Sequence, residues 1–294
     1  MDEHGMGLLR RGYLRSLQAV GRRLPYGTSV YDREWDVLVV LDACRADLFR
    51  RVEPEFDRFE EVSTIWSVGS SSSEWMENTF DGAAETAETV MVTGNTWSDR
   101  YLAADDFAAL DEVWKYAWDD ELDTVPPSAV TDRAVAHARN RDPSRLIVHY
   151  MQPHHPFIPQ PVAGDDGMAR TGRHSSQSNP WIRLRRGEIA ADTVWDAYEA
   201  NLRYVLEEVA TLLDNVTGAV AVTADHGNLF GEWGLTGHPM YTPVPTLLRV
   251  PWATATGHDR ETYTPSLTPP EPLPVSRIYG SDSDTDRLDA LGYL

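Results

Sequence analysis

Four short apolar runs constrain this chain more than any other feature: Trp35-Asp36-Val37-Leu38-Val39-Val40-Leu41-Asp42, Thr89-Val90-Met91-Val92-Thr93, Arg145-Leu146-Ile147-Val148-His149-Tyr150 and Ala219-Val220-Ala221-Val222-Thr223-Ala224. Continuous apolar runs of this length, without polar alternation, are the pattern of strands buried on both faces of a parallel sheet. Helical patterns lie between them. Residues 128–140 put Val130, Ala134, Val135 and Ala138 on one face, and residues 195–213 do the same with Tyr198, Leu202, Val205, Val209 and Leu212. Strands alternating with helices predict an α/β fold, a doubly wound and mostly parallel sheet flanked by helices.

The expected organisation is an amphipathic amino-terminal helix within residues 1–30 and one α/β domain over 31–294. Residues 159–190 mix Gly, Asp, Ser and Arg with little periodicity and read as a long lid-like loop over one end of the sheet. Residues 254–284, rich in Pro, Thr and Ser, read as irregular, with a short closing helix over 286–291. At 294 residues and 41% hydrophobic, the chain can bury a sizeable core, which excludes wholesale disorder.

Charge narrows the function classes. The net charge of −20 excludes general nucleic-acid binding, because phosphates would be repelled. Lys115 is the single lysine among 26 basic residues, and acidity with so little lysine points to a halophilic, archaeal-type protein. One cysteine, Cys44, rules out a disulfide framework and any multi-cysteine metal site. No stretch approaches the roughly 20 apolar residues of a spanning helix, and Met1-Asp2-Glu3-His4 does not open a signal peptide. The expectation is a cytoplasmic protein, at most touching the inner membrane surface through residues 7–24, where Leu8, Leu9, Leu14, Leu17, Val20 and Leu24 alternate with five arginines.

Polar groups collect at the carboxyl ends of the predicted strands, the edge where open α/β sheets bind ligands. Asp42 ends the first run, His149, His154 and His155 surround the end of the third, Asp225-His226-Gly227 ends the fourth, and Gly237-His238-Pro239 follows. A lone Asp here would be read as a helix cap and a lone His-Pro as a turn. Their recurrence at successive strand ends points instead to a divalent-cation site without thiolates. The tract Gly69-Ser70-Ser71-Ser72-Ser73-Glu74-Trp75, just before a helical stretch, offers hydroxyl nucleophiles.

In order along the chain, Val39-Val40-Leu41-Asp42-Ala43-Cys44-Arg45-Ala46-Asp47, His149-Tyr150-Met151-Gln152-Pro153-His154-His155-Pro156-Phe157 and Thr223-Ala224-Asp225-His226-Gly227 resemble sulfatase-like hydrolases of the alkaline phosphatase superfamily. The resemblance implies that Asp42, Asp225 and His226 hold a metal. It puts a nucleophile, which also touches the metal, in the serine tract at Ser70, with Ser71 as the alternative. It also implies that His154 and His238 face an anionic substrate. Arg45, just past Asp42, is a further candidate anion contact, with a salt bridge to a neighbouring carboxylate as the commoner alternative. Cys44 lacks the Cys-x-Pro-Ser-Arg setting of formylglycine sulfatases, and Ile158 stands where two-metal members carry a histidine. The implied cofactor is therefore one divalent ion, with Mn, Mg or Ca ahead of Zn on oxygen-rich ligation and no complete second site. The implied reaction is cleavage or transfer of a phosphate mono- or diester carried by a small molecule, glycan or lipid headgroup. A sulfuric ester hydrolase and a catalytically inactive lipid- or glycan-binding relative are the alternatives.

Overall fold

The computed structural model describes residues 8–165 and 179–271. Among the described residues nine strands are formed: β1 (Val37–Leu41), β2 (Glu61–Trp66), β3 (Thr89–Thr93), β4 (Ala109–Glu112), β5 (Arg145–Tyr150), β6 (Gly218–Thr223), β7 (Leu229–Phe230), β8 (Thr236–Gly237) and β9 (Arg249–Gly257). The helices are α1 (Leu8–Gly21), α2 (Ala46–Val52), α3 (Ser72–Phe80), α4 (Ser98–Tyr101), α5 (Pro127–Arg141), α6 (Pro180–Arg186), α7 (Ala191–Leu213) and α8 (Pro245–Leu248).

Seven strands make one sheet in the order β2-β9-β6-β1-β5-β3-β4, and β7 and β8 form a separate hairpin. The four apolar runs become β1, β3, β5 and β6, paired in parallel. β1 and β3 are buried along their whole length, as continuous apolar strands must be when both faces are covered. β1 sits between β5 and β6, so the order reverses on either side of it. That switch point sets the carboxyl ends of three strands side by side, at the edge where open α/β sheets bind ligands.

Five strands lay outside the sequence reading: the short β4, β7 and β8, and the longer β2 and β9. β9 runs antiparallel between β2 and β6, so residues 254–257, expected to be irregular, belong to the sheet. Alternating Thr and Ala, preceded by Pro251, concealed it; Thr favours a pleated surface, and pairing on both sides compensates for the weak apolar signal. β2 is an edge strand, mostly only partly buried, and therefore shows no apolar run. Within 159–190, residues 180–186 form α6, capped by Asn179, whose side chain accepts the Trp181 N–H, with Pro180 at the first helical position. Residues 166–178 and the predicted closing helix at 286–291 lie outside the described residues.

α1 is shorter than the predicted 7–24. Its inner face carries Leu14, packed with Leu229, Leu235, Val244 and Leu247 around the β7–β8 hairpin, with Leu17 beside them. Gly21 ends the helix against Tyr241, where an added Cβ would stand 2.0 Å from the Tyr241 carbonyl oxygen.

Candidate active site

The site begins with the way two aspartates are held. Asp42 follows β1, and its Oδ2 accepts a 2.8 Å hydrogen bond from the Asn95 amide, leaving Oδ1 buried without a hydrogen-bond partner. Asp225 follows β6, and its Oδ1 accepts the backbone N–H groups of Ala43 (2.9 Å) and His226 (2.8 Å), leaving Oδ2 in the same condition. Ala43 reaches this position with φ of 58°, a left-handed conformation that folds the chain back over the strand end.

Each carboxylate thus has one anchored and one unanchored oxygen, and the unanchored pair meets a nitrogen. His226 Nδ1 lies 2.7 Å from the Gly227 carbonyl and donates to it, so the neutral ring turns a lone pair on Nε2 inward. That nitrogen is 3.6 Å from Asp42 Oδ1 and 3.5 Å from Asp225 Oδ2. Ligand atoms of the three residues all lie within 4.8 Å of one another, and all three are buried.

The electrostatics express the same crowding. Burial and then the charge of Asp225 push Asp42 well above the usual carboxylate range. Burial works the same way on Asp225, but His226 and His149 outweigh it and hold this carboxyl below its ordinary value. His226 is kept neutral chiefly by burial. Two buried carboxylates with free oxygens facing a neutral imidazole form an uncompensated negative pocket. A divalent cation fits this donor set, because it would satisfy both orphaned oxygens and the Nε2 lone pair together.

The serine tract divides by role. Ser70 Oγ has Glu74 Oε2 at 2.8 Å and the Pro239 carbonyl at 3.1 Å, and accepts the Thr242 N–H at 3.0 Å. Ser71 is the N-cap of α3, its hydroxyl accepting the Glu74 N–H. Ser72 is the first helical residue, and its Oγ lies 3.3 Å from His226 Nε2. The same hydroxyl favours the ionised forms of both Asp42 and Asp225. The structure therefore brings Ser72 to the acidic cluster and uses Ser70 and Ser71 to build the turn. Gly69 permits the tight approach, since a Cβ there would meet the Trp75 backbone nitrogen at 2.3 Å.

His154 and His238 meet over the cluster. His154 Nδ1 donates to the His155 carbonyl at 2.5 Å, so its Nε2 accepts from His238 Nε2 across 3.1 Å. The His238 ring also lies 4.5 Å from that of His226, centre to centre. Burial first, and neighbouring imidazoles second, lower both His154 and His238 well below an ordinary histidine, so both are neutral. The loop carrying His154 is held by Asn201 of α7, whose amide donates to the carbonyls of Pro153 and His154 and whose oxygen accepts the Ile158 N–H. His155 stacks on His154 and is held by Asp165 and Asn179. His149 is buried in β5, its Nε2 3.7 Å from Asp225 Oδ2.

Arg45, the candidate anion contact, takes the salt-bridge alternative. Its guanidinium grips Asp47 through two bonds, reaches Glu232 at 2.6 Å and the Asn228 carbonyl at 3.0 Å, and lies over Trp195. Those partners make it a strut tying α2 to the β7–β8 region. Asn95 and Asn201 escaped the sequence reading because amides leave no distinctive pattern. Ser72 had one readable signal, the capping-box spacing of Ser71 and Glu74, which puts the next serine at the first helical position.

By sequence, no family model and no curated protein matches this chain. Solved structures do match. The soluble domain of lipooligosaccharide phosphoethanolamine transferase A from Neisseria meningitidis is 14% identical, with 75% of each chain covered and a TM-score of 0.50. The integral membrane form of that transferase is also 14% identical, with a TM-score of 0.51. The match covers 87% of this chain but only 55% of that one. The C-terminal periplasmic domain of a related Escherichia coli protein is 13% identical over 80% of this chain and 76% of that one, with a TM-score of 0.49. A 2-O GAG sulfatase is 14% identical over 75% and 63%, with a TM-score of 0.45.

These neighbours overturn the cytoplasmic expectation. Their fold forms the soluble domain of a transferase that is itself an integral membrane protein. The inference from a missing apolar segment carried no such weight: that no helix among the described residues is long and apolar enough to cross a membrane states only that. At this identity the likeness shows the fold alone: this chain shares the α/β fold of the phosphoethanolamine transferase domain.

Proposed function

We propose that this chain is a metal-dependent enzyme that cleaves or transfers a phosphate ester through Ser72. The observation that carries the reading is the convergence of Asp42 Oδ1, Asp225 Oδ2, His226 Nε2 and the Ser72 hydroxyl in one buried crevice. Asp42, Asp225 and His226 would hold one divalent cation, whose charge would lower the pKa of the serine hydroxyl and offset that of the phosphoryl group.

The chain's own residues supply the rest. Ser72 Oγ, at the positive end of α3, attacks phosphorus in line, and the bond to the leaving oxygen breaks as the phospho-serine forms. The hydrogen-bonded His154 and His238 sit where the non-bridging oxygens of a bound ester would lie, with His238 Nε2–H as donor. The proton that Ser72 gives up on attack passes to this histidine pair and from it to the leaving oxygen, which departs as the alcohol. Water or an acceptor hydroxyl then attacks the phospho-serine, giving hydrolysis or transfer. Asn95 holds Asp42 in place, and Asn201 holds the loop that carries His154. Lipid-headgroup and glycan esters are the substrate class this reading favours, by analogy with the transferase neighbours. An oxygen-rich donor set with one imidazole favours Mn, Mg or Ca over Zn.

The test is hydrolysis of p-nitrophenyl phosphate, bis-p-nitrophenyl phosphate and p-nitrophenyl sulfate by chelated protein reloaded with Mn, Mg, Ca or Zn. Metal-restored turnover of a phosphate ester, lost in Ser72→Ala, supports the reading. Turnover of the sulfate alone replaces it with sulfuric ester hydrolysis. Turnover that survives Ser72→Ala removes this nucleophile.

A further inference from the structure

Helix α1 has two apolar faces, and only one of them is used. Leu14 and Leu17 pack inward on the β7–β8 region. Leu9, Tyr13 and Val20 fall on a second stripe, because spacings of four and seven residues return to nearly the same side of a helix. They are 92%, 40% and 48% exposed, and Leu24, just past the helix end, is 55% exposed. Among the described residues, the roll of large exposed hydrophobics beyond these holds only Trp66 and Trp233.

Charge distinguishes the same segment. Between His4 and Tyr31 there are five arginines, Arg10, Arg11, Arg15, Arg22 and Arg23, and no Asp or Glu, in a chain whose net charge is −20. Arg15, Arg22 and Arg23 are exposed. At the carboxyl end of α1 a cleft of about 470 Å³ opens, lined in part by Arg22, Arg23, Tyr26, Glu74, Asn78 and Tyr241. Glu74 ties this cleft to the reaction centre. It belongs to α3, two residues from Ser72, and its carboxylate accepts the Tyr26 hydroxyl, the Ser70 N–H and the Tyr241 N–H.

We infer that α1 and the basic cleft at its end dock this protein on an anionic lipid bilayer, with Leu9, Tyr13, Val20 and Leu24 entering the interface and the arginines meeting lipid phosphates. An exposed apolar stripe bordered by arginine, on an otherwise acidic molecule, fits a surface that is negative outside and apolar beneath. Docking there holds α3 and the loop after His238 close to the lipid headgroups. That consequence, presentation of a membrane-borne ester to Ser72, rests on the function proposed above; the docking face does not.

The experiment is flotation of the full chain with vesicles of phosphatidylglycerol and phosphatidylcholine, against phosphatidylcholine alone, at low and molar KCl. The expected result is phosphatidylglycerol-dependent binding that falls about tenfold or more in Leu9→Asp/Val20→Asp. Arg22→Glu/Arg23→Glu should lose most of the salt-sensitive part. Both pairs are exposed, and an unchanged melting curve checks that the fold survives. Absence of binding to either vesicle overturns the inference, as does equal binding by the Leu9/Val20 variant. So does a self-associated protein that the same substitutions turn into monomers without vesicle affinity.

A second measurement separates the two readings. Turnover of a fluorescent phospholipid in vesicles should fall with binding in Leu9→Asp/Val20→Asp, while turnover of soluble bis-p-nitrophenyl phosphate stays at the wild-type rate. Vesicle binding without turnover of any ester keeps the docking face and removes the proposed reaction. Soluble turnover without vesicle binding does the reverse.

Discussion

Two clusters of aspartate and histidine lie in this molecule, and they are finished in opposite ways. Near the β4 edge, Asp111 accepts hydrogen bonds from Tyr116 (2.6 Å), Arg133 (2.8 Å) and His137 (2.8 Å). Burial works against its charge, but those donors prevail and hold its carboxyl below the ordinary range. At the crevice, Asp42 and Asp225 face one another with an oxygen each left over. The same residue types serve as a closed structural knot in one place and an open donor set in the other. Composition cannot separate the two; the accounting of buried acceptors does.

The comparison can be broken most decisively at the crevice. Ser72→Ala should reduce turnover by at least about 10³-fold with a much smaller effect on melting temperature, because a nucleophile acts on the reaction rather than on the packing of the sheet. Steady-state kinetics beside a thermal melt reads both quantities. Next comes a matched pair of Asp→Asn substitutions. Asp111→Asn should cost about 3 kcal/mol in denaturant unfolding, since it leaves Arg133 and His137 buried without their counter-charge. Asp42→Asn should weaken divalent-ion binding by at least about 100-fold in calorimetry, yet leave the chelated protein no less stable, because a repulsive partner of Asp225 has been removed. A destabilised chelated Asp42→Asn would mean that the crevice is closed in the way the edge cluster is.

The two clusters should also respond to pH with opposite sign. Asp111 is lowered by folding, so its contribution is in place above the unfolded value of about 3.9 and is lost as pH falls through the lower folded value. Asp42 is raised, so the cation-free protein should lose stability through this group as pH climbs above about 3.9. Over the same climb, affinity for the ion should increase as the ligands deprotonate. Chemical unfolding of wild type and Asp42→Asn in chelator, from pH 4 to 8, should show a difference that grows with pH. The smallest effect belongs to Ser70→Ala. It should cost about 1 kcal/mol through its bonds to Glu74 and Thr242 while turnover stays within a few-fold of wild type. Loss of turnover there would move the nucleophile back to Ser70.

What the sequence made legible follows from where each segment lies. β3 and β5 were bounded correctly, and β1 and β6 to within a residue or two, because strands covered on both faces must be written in Val, Ile and Leu. β2 and β9 were hidden because half-exposed or Thr-rich strands share their letters with loops. Asp42, Asp225 and His226 were visible because strand ends concentrate chemistry, and the structure brings their ligand atoms together. The choice among four serines was not visible. A helix turns 100° per residue, so adjacent hydroxyls point to different places, and only the cap at Ser71 fixes which one faces the crevice. Arg45 stayed open between two readings, because a guanidinium near a binding edge is written the same way whether it binds a ligand or braces a helix; the structure shows it in the salt bridges of the second reading.

One bond has a consequence for how the molecule comes into being. Asp225 Oδ1 takes the Ala43 N–H, joining residues 182 positions apart in the chain. Contacts of such separation form late, since the intervening segment must be ordered before they can be made. A nascent chain that has completed β1 but not β6 holds Asp42 alone and has no grip on an ion. An ion held by the proposed site would then mark completed folding: by mass action it would stabilise only the finished molecule, and it would slow every route back to the unfolded chain that begins by parting β1 from β6.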